Sequence, residues 1–179
     1  MKDFQFKVVR GFTPLKPSQL ARNEGDQVLD FNKSPKDKSN MSRYVFGGFT
    51  RCLYPLQKFA SEAERILATI VDRDADKWFK PVSGQFDLFY RVKDRADQHE
   101  YQPDFVAENG KVIYMLEPKA SNKLDDPEIL AKKSAAEQWC QVASKHATRT
   151  GSKPWQYALI PHDAILPNMT LDGLMRRFG

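Results

Sequence analysis

Two strand-like, largely apolar runs, 111–120 (KVIYMLEPKA) and 155–163 (WQYALIPHD), are separated by a stretch of helix formers at 127–147. A helix of that length between two strands is a crossover, and this puts the chain in the α/β class. Ile129, Ala136, Trp139 and Cys140 fall on the helix face expected to be inner.

Upstream, Ala63, Ile66, Leu67 and Ile70 recur at helical spacing, and Ser61 with Glu64 forms a capping-box pattern, so a helix should begin near Ser61. Residues 85–92 (QFDLFYRV) alternate apolar and polar and are rich in strand formers. The charged turn RVKDRADQHE separates them from 101–108 (YQPDFVAE), and the pattern predicts two strands joined as a hairpin. Asn109-Gly110 is the strongest short hairpin signal in the chain and leads into the 111–120 strand, which should lie inside the sheet. The order is helix, three strands, helix, strand: a small mixed central sheet flanked by helices.

With 179 residues the chain has the length of one ordinary domain. Residues 1–57 are expected to pack as an N-terminal extension on a core formed by 58–179. In the extension, FKVVRGFTPLKP is irregular or strand-like and 31–43 (FNKSPKDKSNMSR) an exposed basic loop, while Gly47 and Gly48 in VFGGFTRCLYP mark a buried turn docking on the next helix. LDGLMRRF, 171–178, should add a terminal helical turn.

An aromatic content of 12% argues against a disordered tail, and the net charge of +5 suits a polyanionic partner, DNA or RNA. No run approaches the roughly 18–20 apolar residues needed to span a bilayer, and MKDFQFKVVR has no continuous apolar core, so no membrane role and a cytoplasmic location are expected. Cys52 and Cys140 are far apart and lack a partner motif, which predicts small, buried, reduced thiols and no zinc site.

The chemistry is concentrated in Pro103-Asp104 and Glu117-Pro118-Lys119. Side chains two apart on a strand share a face, so Glu117 and Lys119 project together and Pro118 points away. If the Asn109-Gly110 turn closes a hairpin, Asp104 and Glu117 meet where the strands diverge. Close carboxylates repel, and a hard divalent cation, Mg2+ or Mn2+, removes that cost, with the Pro118 carbonyl as a further oxygen ligand. Lys119 would orient water or neutralise a phosphorane-like transition state. Taken singly, Pro-Asp is an ordinary turn element and Glu-x-Lys an ordinary strand face; their joint placement between two helices points to a nuclease. Lys132 and Lys133 read as a solvated basic face, His162 as a hydrogen-bonded structural residue, and Trp139 and Trp155 as core.

With these motifs the chain resembles the PD-(D/E)XK nuclease superfamily, in which Pro103-Asp104 and Glu117-Pro118-Lys119 would be the signature. A closer likeness runs through VFGGFTRCLYPLQKFASEAER, FKPVSGQFDLFY, EYQPDFVAE, YMLEPKA, AAEQWC and KPWQYALIPHD. It is to the C-terminal endonuclease region of type III restriction enzyme Res subunits. The resemblance implies a restriction-endonuclease-like fold and Mg2+-dependent cleavage of double-stranded DNA, in concert with an ATP-driven motor region and a methyltransferase subunit. It also implies a carboxylate from the first helix, for which Glu64 is the preferred match and Glu62 the second. Cutting both strands needs two such centres, hence a second copy. The chain has no GxxxxGK[ST] phosphate loop, so it is expected to be a separated domain or a homologue without the motor. Two alternatives stay open: a catalytically silent DNA-binding or assembly domain, and a nuclease of the same fold acting on another nucleic acid.

Overall fold

The computed structural model describes residues 27–92 and 97–179. FKVVRGFTPLKP and the middle of the charged turn RVKDRADQHE lie outside the described residues.

Strands β1 (Val28–Asp30), β2 (Val45–Gly47) and β3 (Leu56–Gln57) form a three-stranded sheet, β1 parallel and β3 antiparallel to β2. The stretch between β1 and β2 is polar and exposed as expected, but Phe31, Pro35 and Met41 are buried and pin it down. A 3-10 turn at Lys38–Arg43 replaces part of the expected loop, capped by Asp37, whose side chain accepts the Ser39 N–H. After β2 the chain turns at Gly48, where φ is +90°, a conformation that strains any residue with a Cβ. At Gly47 a Cβ would stand 2.9 Å from a Val28 methyl.

Helix α1 (Glu62–Asp74) starts where the capping pattern places it: the Ser61 hydroxyl accepts the Glu64 N–H at 3.1 Å. Ala63, Leu67, Ala68, Ile70 and Val71 are buried along its inner stripe. Near its end Asp72 gathers four donors. It accepts the Thr50 N–H at 3.0 Å and hydroxyl at 2.8 Å, the Arg51 N–H at 2.9 Å and the Trp78 indole N–H at 2.8 Å. One carboxylate thus ties the turn after β2 to α1 and to strand β4 (Lys77–Phe79).

Strands β5 (Leu88–Tyr90) and β6 (His99–Tyr101) pair antiparallel, but as a separate two-stranded sheet. The sequence pattern ran β6 into the strand that follows it. In fact Pro103-Asp104 interrupts, and a new strand, β7 (Phe105–Glu108), begins one residue later in the central sheet. Strand β4, three residues long and too short to show alternation, takes the place the sequence assigned to 85–92.

The rest of the chain comprises β8 (Ile113–Lys119), α2 (Pro127–Thr150), β9 (Trp155–Pro161) and α3 (Leu171–Phe178). The central sheet has the order β4-β7-β8-β9; its first three strands are antiparallel, and β9 is parallel to β8 across the α2 crossover. The β7–β8 reversal differs from the two-residue turn that Asn-Gly favours, because no positive φ occurs at Gly110. The Asn109 side-chain oxygen instead accepts the N–H groups of Lys111 and Val112, each at 2.9 Å. Helix α2 ends at Thr150, three residues past the expected limit, and is capped by Gly151 in the left-handed region.

Alternation along the strands divides the core. Phe105, Ala107, Tyr114, Leu116, Ala158 and Ile160 pack towards α1 and α3. On the other face Met115 and Tyr157 pack with Leu88, Tyr90 and Tyr101 of the small sheet and with Ala136 and Cys140 of α2. Trp139, half-buried, meets Trp155 edge-on at 4.8 Å and Phe86 at 5.0 Å. Both cysteines are free; Cys140 is buried, whereas Cys52 is only half-buried. Among the described residues no helix is long and apolar enough to cross a membrane.

Asp72→Ala would orphan several donors at once, each worth about 1–3 kcal/mol when buried and unsatisfied. Urea unfolding should show a loss of about 3 kcal/mol, and Asp72→Asn, which keeps one acceptor oxygen, a smaller one; a loss under about 1 kcal/mol would show that the tie is not essential.

Candidate functional site

The β7–β8 ladder pairs Phe105 with Leu116 and then stops. One further step of the same register sets Asp104 opposite Glu117. Beyond Leu116, β8 keeps a partner only on its β9 side, a place that tolerates Pro118, which has no N–H for a second neighbour. Two-residue periodicity puts Glu117 and Lys119 on the face shared by Met115.

Glu117 is buried and both of its oxygens are engaged. Lys119 Nζ lies 3.2 Å from Oε1, and the Tyr101 hydroxyl donates to Oε2 at 2.9 Å. From the first turn of α1, Glu64 points to the same end of the sheet; it accepts the Ala60 N–H at 3.2 Å and meets Lys80 Nζ at 2.5 Å. Lys80, the residue after β4, holds its ammonium 4.8 Å from the ring centre of Phe105, the neighbour of Asp104.

Asp104 shows how tightly these groups are coupled. Its carboxyl is pushed from an ordinary 3.8 up to about 8, first by burial and then by the charge of Glu117, with Glu64 adding to the effect and Lys80 and Lys119 opposing it. Three carboxylates and two ammonium groups therefore form one electrostatic unit. Burial followed by Glu117 also pushes the Tyr101 hydroxyl well up, and burial and the same carboxylate raise that of Tyr157. Among the described residues the buried Tyr157 hydroxyl finds no hydrogen bond of ordinary geometry, although it lies close enough to Tyr101 to feel it.

The structure therefore brings together Asp104, Glu117, Lys119 and Glu64. Glu62 faces elsewhere: it pairs with Arg65 at 2.8 Å and with Lys38 at 3.5 Å and accepts the Ser34 hydroxyl, and the Arg65 hydrogen bond holds its carboxyl well below the usual range. Pro118 is buried in the ladder opposite Ile160. Among the described residues no three His, Cys, Asp or Glu side chains are close enough together to form a metal cage, and Glu64 is held by Lys80. Lys133 is solvated, as a basic helix face should be, and pairs with Glu137 at 3.8 Å. Lys132 is more enclosed, 2.8 Å from Glu128 and 5.3 Å above the Tyr90 ring, with its charge within reach of Glu117. His162 lies in a short turn after β9.

Sequence reasoning missed Lys80 and Tyr101. Lys80 falls in FKPVSGQFDLFY, a segment of the family likeness that carries no assigned role, and no periodicity or spacing singles it out. Tyr101 stands three residues before Asp104; recognising that 101 ends one strand and 105 begins another would have exposed it.

Raising the Asp104 carboxyl costs the fold almost nothing well below pH 3.8, where it is protonated folded or unfolded. The cost grows as pH rises towards about 8, because the unfolded carboxyl ionises freely and the folded one resists. Asp104→Asn should therefore raise the Tm of the metal-free protein at pH 8 by at least about 2–4 °C and leave it unchanged at about pH 3. Equal Tm values at both pH values would mean that Asp104 is not under this pressure.

No family model matches the chain, and neither the curated proteins nor the solved structures contain a match to it.

Proposed function

We propose that the chain is a magnesium-dependent endodeoxyribonuclease of the PD-(D/E)XK kind that hydrolyses phosphodiester bonds of double-stranded DNA. In this proposal it corresponds to the endonuclease region of a type III restriction enzyme. The observation that carries it is the register step that sets Asp104 opposite Glu117, with Lys119 3.2 Å from the latter. The order α1, β4, β7, β8, α2, β9, an antiparallel run of three strands followed by a parallel fourth across a helix, supports a restriction-endonuclease-like fold.

The donor set suits a hard divalent cation. Mg2+ needs only one or two carboxylates, with waters and substrate phosphate oxygens completing its shell, so Asp104 and Glu117 suffice without a cage of three. The Pro118 carbonyl is the proposed backbone ligand, and Mn2+ should substitute. The uncompensated charge pressure on Asp104 is what a cation would relieve. When bound, the metal polarises the phosphodiester and lowers the pKa of a coordinated water.

The chain's own groups do the rest. Tyr101 and Lys119 hold the two oxygens of Glu117 and so set the plane of its carboxylate. Lys119 also has donors to spare for an attacking water or a phosphate oxygen whose charge grows in the transition state. Glu64 supplies a third carboxylate from the opposite layer. The net charge of +5 favours a polyanionic substrate without specifying its sequence. In this proposal the protein works in the cytoplasm with a motor region and a methyltransferase subunit, and a second copy cuts the second strand.

Asp104→Ala and Lys119→Ala should each lower Mg2+-dependent cleavage of duplex DNA by about 100-fold or more, the scale for losing one charge-stabilising group. Glu117→Gln should abolish Mn2+ binding measured by calorimetry. Undiminished cutting in the first two variants overturns the assignment. Wild-type DNA binding without metal binding would favour a silent DNA-binding or assembly domain, and preferential cleavage of single strands or RNA a nuclease with a different substrate.

A further inference from the structure

Lys80 has an environment unlike that of a surface lysine. Its side chain is only 17% exposed and its ammonium sits 2.5 Å from Glu64 Oε2, itself on a side chain 8% exposed. It also lies 4.8 Å from the ring centre of Phe105 and 5.5 Å from that of Phe59, so two aromatic faces support the charge. Phe105 adjoins Asp104, and Lys80 is the strongest cationic influence on that carboxyl, ahead of Lys119.

We propose that the Lys80 ammonium is a built-in competitor for the divalent cation, occupying Glu64 so that a metal ion held by Asp104 and Glu117 gains this third carboxylate only by displacing it. The inference rests on the function proposed above. An ammonium and a divalent ion seek the same carboxylate oxygens. Sharing one, they would stand a few ångströms apart in a partly buried setting, where like charges repel strongly. The two positions are therefore alternatives. Lys80 can leave Glu64 without being stranded, because the rings of Phe59 and Phe105 continue to support its charge and its stem is long and flexible. A lysine that only braced Glu64 for a metal would make the opposite contribution, and its removal would weaken binding.

The test is Mn2+ binding to the full chain, followed by the electron paramagnetic resonance signal of free Mn2+, in wild type, Lys80→Gln, Glu64→Gln and the double variant. Lys80→Gln should tighten Mn2+ binding roughly tenfold or more, and the gain should vanish in the Glu64→Gln background. Lys80→Met, which keeps the packing over the rings, should behave like Lys80→Gln and serves if the latter is poorly folded. Unchanged or weaker binding in Lys80→Gln and Lys80→Met overturns the inference, as does an equal gain with and without Glu64, which would reflect general charge alone. If wild type and all variants fail to bind Mn2+, the metal-dependent function falls and the role of Lys80 with it.

Discussion

One register step past the Phe105–Leu116 pair brings Asp104 towards the buried Glu117, and the pressure of these two acidic groups on each other is the constraint around which this end of the molecule is built. Burial raises the free energy of each charge, and proximity raises it again. Lys119 and Tyr101 answer for Glu117 with one contact to each oxygen. Among the described residues Asp104 has no such direct pair: Lys80 and Lys119 act on it from a distance, and they do not restore its carboxyl to the ordinary range. The asymmetry is informative. One carboxylate is fixed in place by its neighbours, and the other is left wanting a positive charge.

Holding two acidic groups in that position requires rigid supports, and the fold provides them from both faces of the sheet. Leu116 and Phe105, the last paired residues before the site, are fully buried against the α1 layer. Met115 and Tyr157 are packed beneath the small β5–β6 sheet and α2 on the other face. The small sheet also delivers Tyr101 to Glu117, so its separation from the central sheet has a chemical consequence. Far from the site, Asp72 fastens α1 to the N-terminal sheet and to β4, and α1 and β4 carry Glu64 and Lys80. The two members of that ion pair are thus positioned through a common anchor.

Features that depend on local chemistry were legible in the sequence. The Ser61 cap needs only Ser61 and the N–H three residues on, and the α2 crossover needs only a long run of helix formers between apolar strands. The β7–β8 register was legible because the Asn109 turn limits it to a few choices, even though Gly110 does not take the expected positive φ and the Asn109 side chain caps the turn. What could not be read depended on partners distant in the chain. Lys77–Phe79 is a strand because β7 pairs with it, and nothing in three residues announces that. Tyr101 and Lys80 matter through what folding brings near them, Glu117 sixteen residues away in one case and Glu64 sixteen in the other. The choice between Glu64 and Glu62 was open because both lie in the first turn of α1; Arg65, one turn on, captures Glu62 and leaves Glu64 to face the sheet.

A carboxyl with a raised pKa binds protons well, and the same property makes it a demanding metal ligand at low pH. Proton, lysine ammonium and divalent cation are three ways of supplying positive charge to one group of oxygens, and they exclude one another to different degrees. The proton neutralises Asp104 alone. Lys80 reaches Glu64 directly and Asp104 through space. A divalent ion would satisfy Asp104 and Glu117 together, which neither of the others can do, and its advantage lies in that bridging more than in its charge. Anything that binds the folded chain at this point and not the unfolded one adds to stability in proportion to its affinity and concentration. On the function proposed above, the charge pressure on Asp104 therefore marks a place where a bound cation would contribute to stability as well as to chemistry.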